Sequence, residues 1–136
     1  MVGILIISHG KLAEAMISSV QALIGGLKRI RGVPIWPKES PKEIKERIQK
    51  EMAAVDDGDG VVILTDLLGG TPTNLTLSFL EDQKVEVVTG VNMPMLLTLS
   101  SYRIGKSLKE IGTLVKKSGR RSIILARDIL GKKRAK

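Results

Sequence analysis

Apolar residues run without polar interruption over residues 4–7 (Ile4, Leu5, Ile6, Ile7) and again over residues 61–64. A run of this kind is the signature of a parallel strand covered on both faces. Between the two runs the period changes. Leu12, Ala13, Met16, Ile17, Val20, Leu23 and Ile24 recur at helical spacing and stop at Gly25 and Gly26, a glycine helix stop. Residues 30–36 form a short second strand, and Gly32 and Pro34 inside it mark an edge or bulged strand. Ser40, Pro41 and Glu43 supply an N-cap, a proline at the first helical position and a capping box, with Ile44, Ile48, Met52 and Val55 as the buried face of the helix they start.

The second half repeats the alternation. Asp56 to Gly60 is a turn, and the third strand that follows ends in Thr65 and Asp66. Thr71 as N-cap and Pro72 as first helical residue open a helix running to about Asp82. Val85 to Thr89 is a fourth strand with a polar break at Glu86, and Gly90, Val91, Asn92, Met93 and Pro94 lead into another helix. A helix with Leu108, Ile111, Leu114 and Val115 inward runs to Gly119, and Ser122 to Ala126 reads as a fifth strand. Strands alternating with helices predict an α/β fold, an open and mostly parallel sheet in the common order 2-1-3-4 with helices on both faces. One domain over residues 1–130 is expected, followed by a basic tail, 131–136, expected to be disordered.

Composition narrows what such a sheet carries. The 136 residues include no cysteine and one histidine, His9, so thiolate metal sites and cysteine nucleophiles are excluded and a zinc site built by this chain alone is disfavoured. No metal and no cofactor is expected. No apolar run approaches the ~20 residues of a membrane span, and a cytoplasmic location without membrane insertion is expected. The net charge is +8, and the basic residues cluster at Lys28, Arg29 and Arg31, at Lys116, Lys117, Arg120 and Arg121, and at Lys132, Lys133, Arg134 and Lys136. Trp36, Phe79 and Tyr102 are the only aromatics, too few for a base-stacking platform, so solvated surface or steering of an acidic partner explains the charge better than nucleic acid.

The candidate chemistry sits where strands end. His9 follows the first strand and Asp66 the third, and in a 2-1-3-4 sheet both reach the carboxyl edge of neighbouring strands. A carboxylate on one imidazole nitrogen would fix the tautomer and leave the other as a nucleophile. If that nitrogen took up a phosphoryl group, Asp66 would stabilise the cationic ring. Backbone N–H groups near Gly10, Gly69, Gly70 and Thr71 could hold the phosphate oxygens. Each piece also has a plainer reading: a structural histidine, a loop-capping aspartate, a tight glycine turn. The residues alone leave both open.

Three motifs together carry a resemblance. His9 in ISHG, then DLLGGTPTN at 66–74 and GVNMPMLL at 90–97, resemble the IIA component of the mannose family of the bacterial phosphoenolpyruvate-dependent sugar phosphotransferase system (PTS), over about residues 1–128. The resemblance implies a phosphohistidine carrier: phospho-HPr gives its phosphoryl group to His9 at Nε2 while Asp66 holds Nδ1, and a IIB component takes it onward. It implies a site lined by Asn74, Asn92 and Met93, with Thr71 where relatives often carry Ser. It also implies a homodimer exchanging an antiparallel fifth strand, here Ser122 to Ala126, and a functional link to a membrane IIC/IID permease. Leu68, Thr73 and the basic surface depart from the family pattern. The alternatives are the similarly folded phosphoryl-carrier subunit of a dihydroxyacetone kinase and a non-catalytic regulatory module.

Overall fold

The structure, a computed structural model, describes residues 1–67 and 69–135; of residues 71, 72 and 132–135 only the backbone is described. Four strands, β1 (Gly3–His9), β2 (Ile30–Ile35), β3 (Val61–Thr65) and β4 (Val85–Thr89), form one sheet in the order β2-β1-β3-β4. Every pairing is parallel, with Ile4 opposite Ile30 on one side and Val62 on the other. The expected order is thus found, and Pro34 lies on an edge strand, where a missing N–H costs least.

The uninterrupted run in β1 divides by parity. Ile4 and Ile6 point into one core with Val62 and Leu64 of β3, and Leu5 and Ile7 into the other with Ile63. The first core is closed by α1 (Leu12–Ile24) through Ala13 and Val20, α4 (Met93–Tyr102) through Met95, Leu96 and Leu99, and α5 (Leu108–Arg121) through Ile111 and Val115. The second is closed by α2 (Pro41–Val55) through Ile44, Ile48 and Val55, and by Leu75 of α3 (Gly70–Ser78) with Phe79 beyond it. Central strands of the sheet therefore have no wet face.

Helix starts follow local chemistry. Ser40 accepts the Glu43 N–H at 3.2 Å in front of α2, and Asn92 does the same for Met95 at 3.2 Å in front of α4 while its Nδ2 donates to the Gly119 carbonyl at the end of α5. At the amino rim of the sheet, Arg103 is buried and donates to the carbonyls of Val2 and Lys28. The Met1 ammonium pairs there with Asp57 and Asp59.

The single chain departs from the sequence reading at two places. The third helix begins at Gly70 with Gly69 as its cap, not at Pro72 with Thr71 as its cap, and ends at Ser78, one 3-10 turn (Phe79–Glu81) completing it. Ser122 to Ala126 forms no strand: Ile123 donates back to the Arg120 carbonyl and Asp128 to that of Leu125, so the segment is a turn between two helices. An apolar triplet with two β-branched residues needs a ladder partner to be a strand, and within the single chain the described residues give it none. The chain then continues as α6 (Ala126–Ala135), which takes in residues 131–135 of the basic tail. Leu68, noted as a departure from the family pattern, lies outside the described residues.

Candidate functional site

Parallel pairing builds the site. Ile7 stands opposite Thr65, so the residues just beyond, His9 and Asp66, meet at the carboxyl rim. Asp66 Oδ2 accepts two N–H groups from the same residue, the His9 amide and ring Nδ1, each at 2.9 Å. Its Oδ1 accepts the Leu67 amide at 2.9 Å. The carboxylate thereby ties the orientation of the ring to the end of β1. Its side chain is 13% exposed while that of His9 is 52% exposed, so the acid is the buried support and the imidazole the presented group.

Burial works against ionisation of Asp66, and the His9 amide, the His9 ring and the Leu67 amide outweigh it, holding its carboxyl below the ordinary 3.8. An ionised carboxylate only accepts. In the neutral ring the proton is therefore assigned to Nδ1 and the lone pair to Nε2, which faces away from Asp66.

Two hydroxyls that sequence reasoning had not assigned to the site hold its loops. Ser8, fully buried, accepts the Ala13 N–H at 2.7 Å and so caps α1 directly behind His9. Thr73 Oγ1 accepts the Gly69 N–H at 2.8 Å and donates to the Gly69 carbonyl at 2.7 Å, closing the glycine turn on itself. The available signals were a serine at a buried strand end and a threonine four residues after Gly69; neither says which partner the hydroxyl takes.

The structure separates the expected phosphate ligands. The Gly10 N–H is spent on the Ile35 carbonyl at 2.9 Å, and that of Gly69 on Thr73. Gly70 and Thr71 lie in the first turn of α3, whose N–H groups have no intrahelical carbonyl to bond. A pit under His9 is lined by Ile7, Ile35, Thr65, Asp66, Thr73 and Thr76 among others and has about 10 Å³ of room, roughly one water. Thr65 Oγ1, at its wall, is buried without a hydrogen-bond partner. Asn74 is exposed on α3, Asn92 is occupied as the α4 cap, and Met93 packs on the first core; none of the three lines the pit. Among the described residues no group of three or more His, Asp or Glu is placed to hold a metal.

A doubly covered parallel sheet that presents a carboxylate-backed histidine at its carboxyl rim defines a class of α/β proteins rather than one activity. The family model described as "PTS system fructose IIA component" matches residues 3–116, and the chain belongs to this family of phosphotransferase system components. It is 29% identical over 133 residues to the PTS system fructose-specific EIIA component of Bacillus subtilis, covering 97% of this chain and 91% of that one. It is 30% identical over 124 residues to the PTS system mannose-specific EIIAB component of Escherichia coli, where the match covers 90% of this chain but 38% of the longer protein. Among solved structures, phosphotransferase system component EIIA of Streptococcus agalactiae superposes with a TM-score of 0.83 at 25% identity, covering 94% of this chain and 99% of that one.

Proposed function

We propose that the protein is a phosphoryl carrier that accepts a phosphoryl group from phospho-HPr on His9 Nε2 and passes it to a IIB component. The observation that carries this reading is the 2.9 Å contact of His9 Nδ1 with Asp66 Oδ2 beneath a half-exposed ring. The Nε2 lone pair attacks phosphorus, the bond to the donor breaks with its electron pair leaving on the donor, and the ring becomes cationic. Asp66 offsets that charge, and the N–H groups of Gly70 and Thr71 are the donors offered to the phosphoryl oxygens. Transfer to IIB is the same step reversed onto a new acceptor.

The dimensions of the site favour delivery by a protein. A pit of about 10 Å³ cannot admit a sugar or a nucleotide. Leu12, close to His9 in sequence, Leu67, on the pit rim, and Trp36, which follows the pit residue Ile35, are exposed and give a docking partner apolar contact. We take the protein to work in the cytoplasm, supplying a membrane IIC/IID permease through IIB. We also take it to be a homodimer in which Ser122–Ala126 exchanges as an antiparallel strand. What supports exchange is the unpaired edge of β4 beside a groove of about 600 Å³ lined by Glu86, Val88, Gly112 and Lys116. Ile123, Ile124 and Leu125 are 81%, 59% and 67% exposed in the single chain; pairing would cover them.

Incubation with phosphoenolpyruvate, enzyme I and HPr should place one acid-labile, base-stable phosphate on the chain, and His9→Ala should abolish it. A phosphate that survives in the His9→Ala variant, or none in the parent, overturns the assignment.

A further inference from the structure

The excess of positive over negative charge in this protein lies at one end of the chain. Residues 116–136 hold nine Lys or Arg against the single acid Asp128, which accounts for the whole net charge of +8, while residues 1–115 are balanced at thirteen of each sign. Lys116, Lys117, Arg120 and Arg121 occupy the last turns of α5 and are exposed. Arg127 follows at the start of α6, and Lys132, Lys133 and Arg134 fall within it.

Apolar residues are set among these cations. Ile129 and Leu130 of α6 are 44% and 54% exposed, and at 100° per residue they share a helix face with Ala126. Among the described residues no other element packs substantially against α6. A polyanion such as duplex DNA would be drawn by the charge alone and gains nothing from Ile129 and Leu130. An anionic bilayer uses both: its headgroups attract the cations, and the apolar side chains enter the boundary between headgroups and acyl chains.

We propose that α6, with the basic end of α5, docks this protein on an anionic lipid surface. The contact is peripheral. Ten residues of helix reach about 15 Å, and no helix of the described residues is long and apolar enough to cross a membrane, so α6 lies along the interface. Attraction of this kind strengthens binding by roughly fivefold for each Lys or Arg held at the surface and fades with added salt. Strand exchange by residues 122–126 overlaps α6 only at Ala126 and leaves Ile129, Leu130 and the cations beyond them outside the exchanged strand, so the two proposals are tested separately.

Flotation of the full chain with phosphatidylcholine vesicles, with and without phosphatidylglycerol, tests this directly. Binding is expected only with phosphatidylglycerol and should be lost at high salt. Replacing Lys132, Lys133 and Arg134 together with Gln should weaken it on the order of 100-fold. The double variant Ile129→Gln/Leu130→Gln should weaken it by about tenfold or more, as partial burial of two aliphatic side chains requires. Duplex DNA serves as the competing polyanion, and sedimentation equilibrium reports any self-association through α6. Absence of vesicle binding at low salt, equal binding to neutral vesicles, or a double variant that binds as the parent does would overturn the proposal. So would a double variant whose only change is a lost oligomer, or tighter binding to DNA than to vesicles.

Discussion

Replacing Asp66 by Asn tests the link between one carboxylate and the behaviour of the ring it supports. Asp66 offers Oδ2 to two His9 donors and Oδ1 to the Leu67 amide, whereas an asparagine has one acceptor oxygen and one donor nitrogen. If the amide oxygen faces His9, its NH₂ confronts the Leu67 N–H. If it is flipped, the NH₂ confronts the His9 N–H and can meet Nδ1 only as an acceptor, which moves the ring proton to Nε2 and removes the nucleophile. Either way an N–H at the exposed rim loses its protein partner, a cost of about 0.5–1.5 kcal/mol to the fold. A hydrogen bond to a charged group is worth about 1.5–3 kcal/mol, and losing it in the transition state slows phosphorylation by about 10- to 160-fold. The half-exposed ring places the expected loss toward the lower end of that range. Rapid-quench measurement of transfer from phospho-HPr, with circular dichroism confirming the fold, checks this. Parent-like rates in a folded Asp66→Asn protein would refute the orienting role.

Two threonines that share the pit should respond in opposite ways to the same change. Thr73→Val strips Gly69 of both its bonds and should cost about 1–3 kcal/mol in urea unfolding and slow phosphorylation, whereas Thr65→Val removes a buried hydroxyl that has no partner and should be neutral or stabilising. Equal effects would contradict the hydrogen-bond assignment. Gly3→Ala would place a Cβ 2.4 Å from the Val55 carbonyl oxygen, and because backbone must move, a loss of about 1–3 kcal/mol or more in urea unfolding is expected; an unchanged midpoint would argue against that packing. Asp66 also makes the fold sensitive to acid. Its folded-state value lies below 3.8, so its contribution is present above that pH and is lost as pH falls through the depressed value, the unfolded chain taking up the proton first. Urea midpoints between pH 5 and 3 should fall less in Asp66→Asn than in the parent, and parallel curves would remove Asp66 from the account.

What the sequence made legible was whatever depends on period and on strong local signals. Ile4–Ile7 and Val61–Leu64 marked doubly buried strands, and Ser40-Pro41 marked the start of α2, because burial and capping act within a few residues. His9 and Asp66 could be brought together on topology alone, since adjacent parallel strands end on one rim. The glycine turn was harder: Thr71 and Pro72 have the usual capping order, yet α3 starts at Gly70, and which amides remain for a ligand depends on where the Ile35 carbonyl and the Thr73 hydroxyl reach. Ile123 to Leu125 differ from the sequence reading for another reason. Strand character is completed by a neighbouring strand, and the neighbour proposed for this segment belongs to a second copy.

Four strands running the same way leave the molecule with two unlike ends. His9 stands at one, and the Met1 ammonium, held by Asp57 and Asp59, at the other. A carrier protein, fluorophore or bead joined upstream of Met1 would convert that ammonium to an amide and forfeit its pairing, but it would project from the side opposite the imidazole. Attachment there should leave phosphoryl exchange unobstructed, which makes the amino end the natural handle for immobilising the molecule.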